Sequence, residues 1–121
     1  MLALLAVACR PLASLPSHRT ENQGAAGAQS GTLVDIGGCV YLAGSLGSRY
    51  LVVWPEGYVR ESNSIMDGDQ HVADIGDSVT LGGGEIKVDE FSLLEEKLLT
   101  DVPSACRSDG YWYTSGLADP G

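Results

Sequence analysis

The sequence predicts a mainly β protein: a small antiparallel β-barrel, OB-like or of similar build, with one short helix and a disordered tether in front of it. Three observations point there. Turn signals recur roughly every eight to twelve residues from Gly31 onward, a spacing typical of short strands in barrels and sandwiches. Glycine is abundant, with 16 Gly against 2 Trp, 5 Tyr and 1 Phe in 121 residues, which favours many tight turns over long helices. The apolar runs are short and several alternate with polar residues, the period of a strand with one buried face.

The barrel domain is expected over 31–117, followed by a tail at 118–121. Thr32 to Ile36 reads as a strand, Gly37-Gly38 as a turn, and Cys39 to Leu42 as the returning strand. Arg49 to Trp54 is apolar on both faces, as expected of a strand buried on two sides, and Pro55 and Gly57 stop it. Tyr58 to Met66 reads as a weaker strand, and Asp67-Gly68 is a favoured hairpin pair leading into a strand over His71 to Ile75. Gly76-Asp77 makes the next turn. Ser78 to Leu81 alternates cleanly, with Val79 and Leu81 inward, and Gly82-Gly83-Gly84 bends the chain into a short strand at Glu85 to Val88. Ser92-Leu93-Leu94-Glu95 matches a capping box, which predicts a helix over Ser92 to Leu99 lying across one open end of the barrel. Tyr111 to Thr114 is the closing strand.

The N-terminal part has a different character. Met1 to Ala8 is apolar or small throughout and ends in Ala6-Val7-Ala8 before Cys9, the small-residue pattern of a signal cleavage site. As a helix it would reach only about 12 Å, less than half of a hydrocarbon core of about 30 Å. The step into Cys9 resembles the lipobox of bacterial lipoproteins, in which that cysteine is lipidated. The expectation is a cell-envelope protein, lipid-anchored on the extracytoplasmic face, with plain secretion as the alternative. Residues 9–30 carry Pro11, Pro16, Gly24 and Gly27 among small polar residues, too little apolar surface to order the segment, and are read as a flexible tether.

Charge bounds the partners. With 7 Lys plus Arg against 16 Asp plus Glu, the net charge is −9, and the basic residues of the domain stand singly among acids. No basic stripe is available to neutralise phosphates, so nucleic acid is not an expected partner. The only membrane contact expected is through the lipid anchor.

Cys39 and Cys106 are the most informative pair. If Cys9 is lipidated, an even number of cysteines remains in an exported domain, which usually means a bridge; the alternative is two unrelated buried thiols. Neither cysteine has the neighbouring ligands of a metal site, and no metal or other cofactor is expected. Asp67-Gly68-Asp69 lacks the Gly and Glu spacing of a calcium loop and is read as a hairpin turn. The triglycine is not followed by a helix and is read as a barrel bend rather than a phosphate cradle. His71, taken as the only histidine of the folded part, is read as a solvated strand residue, and Trp54 and Trp112 as core.

The runs Gly38-Cys39-Val40-Tyr41-Leu42, Tyr50-Leu51-Val52-Val53-Trp54-Pro55-Glu56-Gly57-Tyr58, Ile75-Gly76-Asp77-Ser78-Val79 with Leu81 to Glu85, and Pro103-Ser104-Ala105-Cys106-Arg107 resemble a small disulfide-bridged β-barrel domain of uncharacterised exported bacterial proteins. The resemblance covers roughly Gly31 to Tyr113. It implies export, a Cys39–Cys106 bridge and a compact barrel, and it implies no activity.

The function expected is therefore a tethered binding or interaction module without catalytic residues, acting on an envelope protein or an extracellular ligand. Alternation places Tyr111 and Tyr113 on the face opposite Trp112. If Trp112 fills the core these two face outward, and with Tyr58 they form the candidate binding surface. The alternative is a small extracytoplasmic hydrolase with His71 or an acid as base.

Overall fold

The computed structural model describes residues 13–19, 27–44 and 47–118. The signal-like segment, Cys9, the middle of the expected tether and the last three residues of the tail lie outside the described residues. Strands β1 (Ala13–Ser14), β2 (Ser17–His18), β3 (Gly27–Ile36), β4 (Cys39–Ala43), β5 (Arg49–Pro55), β6 (Tyr58–Glu61), β7 (Ser64–Asp67), β8 (Gln70–Asp74) and β9 (Ser78–Lys87) come first. A 3₁₀ turn at Val88–Glu90 then runs into the helix α1 (Phe91–Glu95), followed by β10 (Leu98–Thr100), a second 3₁₀ turn at Ser104–Cys106 and β11 (Gly110–Leu117).

Five of these strands close a barrel. The hydrogen-bonded order β5-β11-β9-β3-β4 is completed by pairing of β4 back onto β5. Every contact is antiparallel except that of β5 with β11, which is parallel, Leu51 to Val53 lying opposite Tyr111 to Tyr113. Counted along the chain, the barrel strands therefore run first, second, third, fifth, fourth, the Greek-key order of an OB-type barrel. Parallel neighbours cannot be joined by a hairpin, so the chain between β5 and β11 must make long excursions.

Alternation divides the barrel strands between two apolar clusters. Leu33, Val40, Leu42, Val52, Trp54, Leu81 and Trp112 point inward and fill the barrel. The alternate residues Cys39, Tyr41, Leu51, Val53 and Tyr111 belong to a second cluster on the outer wall. The apolar character of β5 on both faces follows from this: Leu51 to Trp54 are all buried. A separate sheet in the order β1-β6-β7-β8 adds Ile65 and Ala73 to the inner cluster and so closes one end of the barrel.

Several local expectations need correction. Tyr58 to Met66 is two strands, split at Ser62-Asn63, where Ser62 takes a positive φ of 59°; a polar pair without glycine gave no turn signal. The triglycine does not interrupt β9, which continues to Lys87. Gly83 has φ 139°, and a Cβ there would sit 2.0 Å from the carbonyl oxygen of Tyr113, so glycine lets β9 and β11 approach where any side chain would clash. The helical stretch begins with the 3₁₀ turn at Val88, and α1 ends at Glu95, because Leu98–Thr100 is drawn into a strand against Ser17–His18. It covers the side wall of the barrel, with Leu94 in the outer cluster, and not an open end.

β3 starts at Gly27 and pairs with β9 through Gly27 to Thr32. Within the segment read as a tether, β1 pairs with β6 and β2 with β5, and Leu15, Ser17 and His18 are buried. Backbone pairing onto the free end of β5 supplies what the composition of this segment does not: Trp54 donates its N–H to Pro16 O at 2.9 Å.

Candidate functional site

The disulfide organises the outer wall. Cys39, at the start of β4, is bonded to Cys106 in the 3₁₀ turn before β11, with Cα atoms 5.6 Å apart and 67 residues between them in sequence. The connection from β9 to β11 thereby lies on the outer face of β4, β5 and β11, with Leu94, Val102 and Cys106 packed against Tyr41, Leu51, Val53 and Tyr111. In an OB-type barrel that face is the one that usually meets ligands. Here the protein's own chain occupies it.

This arrangement decides the fate of the predicted tyrosine surface. Tyr111 does lie on the face opposite Trp112, but that face is covered and Tyr111 is fully buried; its hydroxyl accepts from the Ser108 N–H at 3.1 Å. The expectation of an outward-facing Tyr111 is thus corrected, because a residue pointing out of the barrel is not exposed where a second layer covers the wall. Tyr113 is partly buried beneath His18, ring centroids 3.9 Å apart. Tyr58 stacks on Trp54 at 5.7 Å and borders a shallow depression with Leu15 and Leu99. Its burial, reinforced by the charge of Asp67, raises the phenol pKa above the ordinary value. With Tyr111 fully buried, the three tyrosines do not form one exposed surface.

A cleft lies where the covering connection re-enters the barrel. Its volume is about 560 Å³, within the size range of small-molecule sites. One wall is Gly47, Ser48, Arg49 and Tyr50 at the start of β5, and the other is Arg107, Ser108, Asp109 and Gly110 leading into β11, with Tyr41 and Glu85 between them. The Arg49 guanidinium lies 5.0 Å from the Tyr41 ring centroid, and that of Arg107 lies 4.2 Å from the ring centroid of Phe91 on α1. Both are cation–π contacts, which hold a long side chain in place without neutralising it.

Sequence reasoning missed this cleft. A usable signal existed in the cysteine pair: once Cys106 is joined to Cys39, Arg107 has to lie close to the strand that carries Tyr41. It also missed His18, so that His71 is not the only histidine of the fold. His18 is buried, one ring nitrogen facing Thr114 O at 2.8 Å and the other Arg19 O at 3.0 Å.

The groups considered for hydrolysis lie elsewhere. His71 is exposed on β8 and donates from Nε2 to Asp74 Oδ1 at 2.8 Å. The Ser64 hydroxyl donates to the same oxygen at 2.8 Å. These two bonds, His71 first, hold the Asp74 carboxyl below its ordinary pKa. Serine and histidine converge on one acceptor and do not contact each other, whereas nucleophile activation needs the serine hydroxyl bonded to the imidazole. Asp67 and Asp69 flank the β7–β8 turn at Gly68. Among the described residues, no group of three or more His, Cys, Asp or Glu side chains is placed to hold a metal ion.

Comparison of the chain with family models, with curated proteins and with solved structures finds no match.

Proposed function

We propose that this barrel is an exported binding module without catalytic activity, held at the cell envelope through Cys9, and that its ligand or envelope partner is recognised in the cleft between Arg49 and Arg107. The observation that carries the reading is that two arginines, Arg49 and Arg107, line one cleft and that neither has a carboxylate partner among the described residues. In a chain with 7 basic residues and a net charge of −9, unpaired arginines gathered in one place favour recognition over simple solubility. The covered outer wall supports the same conclusion, since it leaves this edge as the accessible part of the usual ligand face.

Anchoring through Cys9 would hold the barrel close to the bilayer. The described chain starts at Ala13, and the residues from Cys9 to that point span at most about 14 Å when fully extended. That is shorter than the reach of roughly 25 Å for a coil over the whole expected tether.

A thermal-shift screen of peptides, glycans and small envelope metabolites tests the binding reading. A ligand of the cleft should raise the melting temperature of the wild type, by mass action, and not that of the Arg49→Gln/Arg107→Gln variant. Turnover of an ester, peptide or glycoside that His71→Ala or Asp74→Asn abolishes would contradict it. Anchoring is tested by fractionation: Cys9→Ser should move the protein from the membrane to the soluble extracytoplasmic fraction, and membrane association unchanged by that substitution would refute the anchor.

A further inference from the structure

Four charged side chains line the cleft, two of each sign: Arg49 and Arg107 with Glu85 and Asp109. All four are exposed, and they do not pair with one another. The ion pairs among the described residues are Arg60 with Asp35 and His71 with Asp74, and no side-chain hydrogen bond joins any of the four to another described residue. The reason on the cationic side is structural, since Arg49 is drawn over Tyr41 and Arg107 over Phe91. A guanidinium stacked on a ring keeps its N–H edge free for a planar oxyanion, and little of its rotamer freedom remains to be lost on binding.

The geometry points to a zwitterionic ligand, and we propose that the cleft binds free amino acids or short peptides through their charged ends. The ligand's carboxylate meets Arg49 and Arg107, and its ammonium group meets Glu85 and Asp109. This deepens the binding reading and rests on it. A polyanion would face both acids and the net charge of −9, and a neutral sugar would desolvate four charges without supplying a counter-charge to any of them. A ligand with one charge of each sign complements all four groups, and a volume of about 560 Å³ accommodates a small peptide.

The test is calorimetric titration of the full oxidised chain with five probes: L-alanyl-L-alanine, its N-acetyl form, its C-terminal amide, inorganic phosphate and maltotriose. The unmodified dipeptide should bind, and blocking either end should weaken binding by about tenfold or more, the scale of a lost charge-assisted hydrogen bond. Arg49→Gln/Arg107→Gln should weaken dipeptide binding by a similar factor while the protein stays folded, with a lowering of the melting temperature no larger than the loss of two exposed cation–π contacts brings. Glu85→Gln/Asp109→Asn should remove the preference for the dipeptide over its N-acetyl form. Equal binding of the free and blocked dipeptides, or absence of dipeptide binding, overturns the zwitterion assignment. If phosphate or maltotriose binds instead and the arginine variant abolishes it, the ligand class is wrong and the binding reading stands. If none of the five probes binds and the thermal-shift screen also finds no ligand sensitive to the arginine variant, both fail.

Discussion

The imidazole of His18 lies flat on the phenol ring of Tyr113, ring centroids 3.9 Å apart and planes inclined by 17°. The contact joins a residue near the N-terminus to the last barrel strand, and the two ring nitrogens face backbone carbonyls of Arg19 and Thr114. His18→Ala should detach the strand Ser17–His18 from β5 and β10. The expected outcome is loss of amide exchange protection over residues 17–19 and a global destabilisation of about 1–3 kcal/mol. His18→Phe retains the stack but removes the ring nitrogens that face the two carbonyls, and should recover only part of that loss in urea unfolding.

The two tryptophans should respond differently to the same change. Both fill the barrel interior, but Trp112 Nε1 donates to Leu81 O and Gly82 O, each at 3.2 Å, whereas Trp54 Nε1 is buried with no hydrogen-bond partner. Trp→Phe removes a similar volume at each site, so the cavity terms are comparable. At position 112 the change also removes the donor shared by Leu81 O and Gly82 O, of which Gly82 O still accepts from the Thr114 hydroxyl at 2.8 Å, and at position 54 it removes an unsatisfied donor. Trp112→Phe should therefore be the more destabilising by about 1 kcal/mol or more in chemical denaturation.

Acid stability should depend on Asp35. Its carboxyl accepts from Arg60 Nη1 at 2.6 Å and from the Gly38 N–H at 3.0 Å, and these bonds, Arg60 first, hold its pKa below the ordinary value. A depressed folded pKa means that the folded protein favours the carboxylate. The stabilisation is present above the ordinary carboxylate pKa of about 3.9 and is lost as pH falls through the lower folded value. Asp35→Asn should flatten the acid limb of the stability profile while changing stability at pH 7 by no more than about 1 kcal/mol, because the pair is partly solvated.

Reduction of the Cys39–Cys106 bridge should loosen the covering layer before the barrel. Opening a cross-link between residues 67 apart should cost about 2–5 kcal/mol. Amide exchange should accelerate first at Leu94 and Val102, and later at Val52 and Leu81. Simultaneous loss of protection in both layers would mean that the cover and the barrel unfold as one unit.

What was readable in the sequence follows the range of the interactions involved. The barrel strands were legible because their alternation is local: Val40 and Leu42 against Cys39 and Tyr41, Val79 and Leu81 against their neighbours. The double burial of β5 was legible because Leu51 to Trp54 leave no polar face. Burial of Tyr111 was not, since it depends on a chain segment folding back from beyond α1, and periodicity reports which way a residue points but not what covers it. The placement of Ser17 and His18 was hidden for a related reason. Their order comes from backbone bonds to β5 and from Tyr113, distant in sequence, and not from an apolar pattern of their own. The cleft combines both cases, since Arg49 and Arg107 are ordinary isolated charges until the barrel and the bridge bring them to one place.

The most direct measurement of the central claim is a map of amide chemical-shift changes on titrating the oxidised protein with L-alanyl-L-alanine. Saturable shifts concentrated at Gly47 to Tyr50, Glu85 and Arg107 to Gly110 are expected. Shifts centred instead on Tyr58, on Tyr113 and His18, or on His71 and Asp74, or a spectrum unchanged at saturating dipeptide, would contradict it.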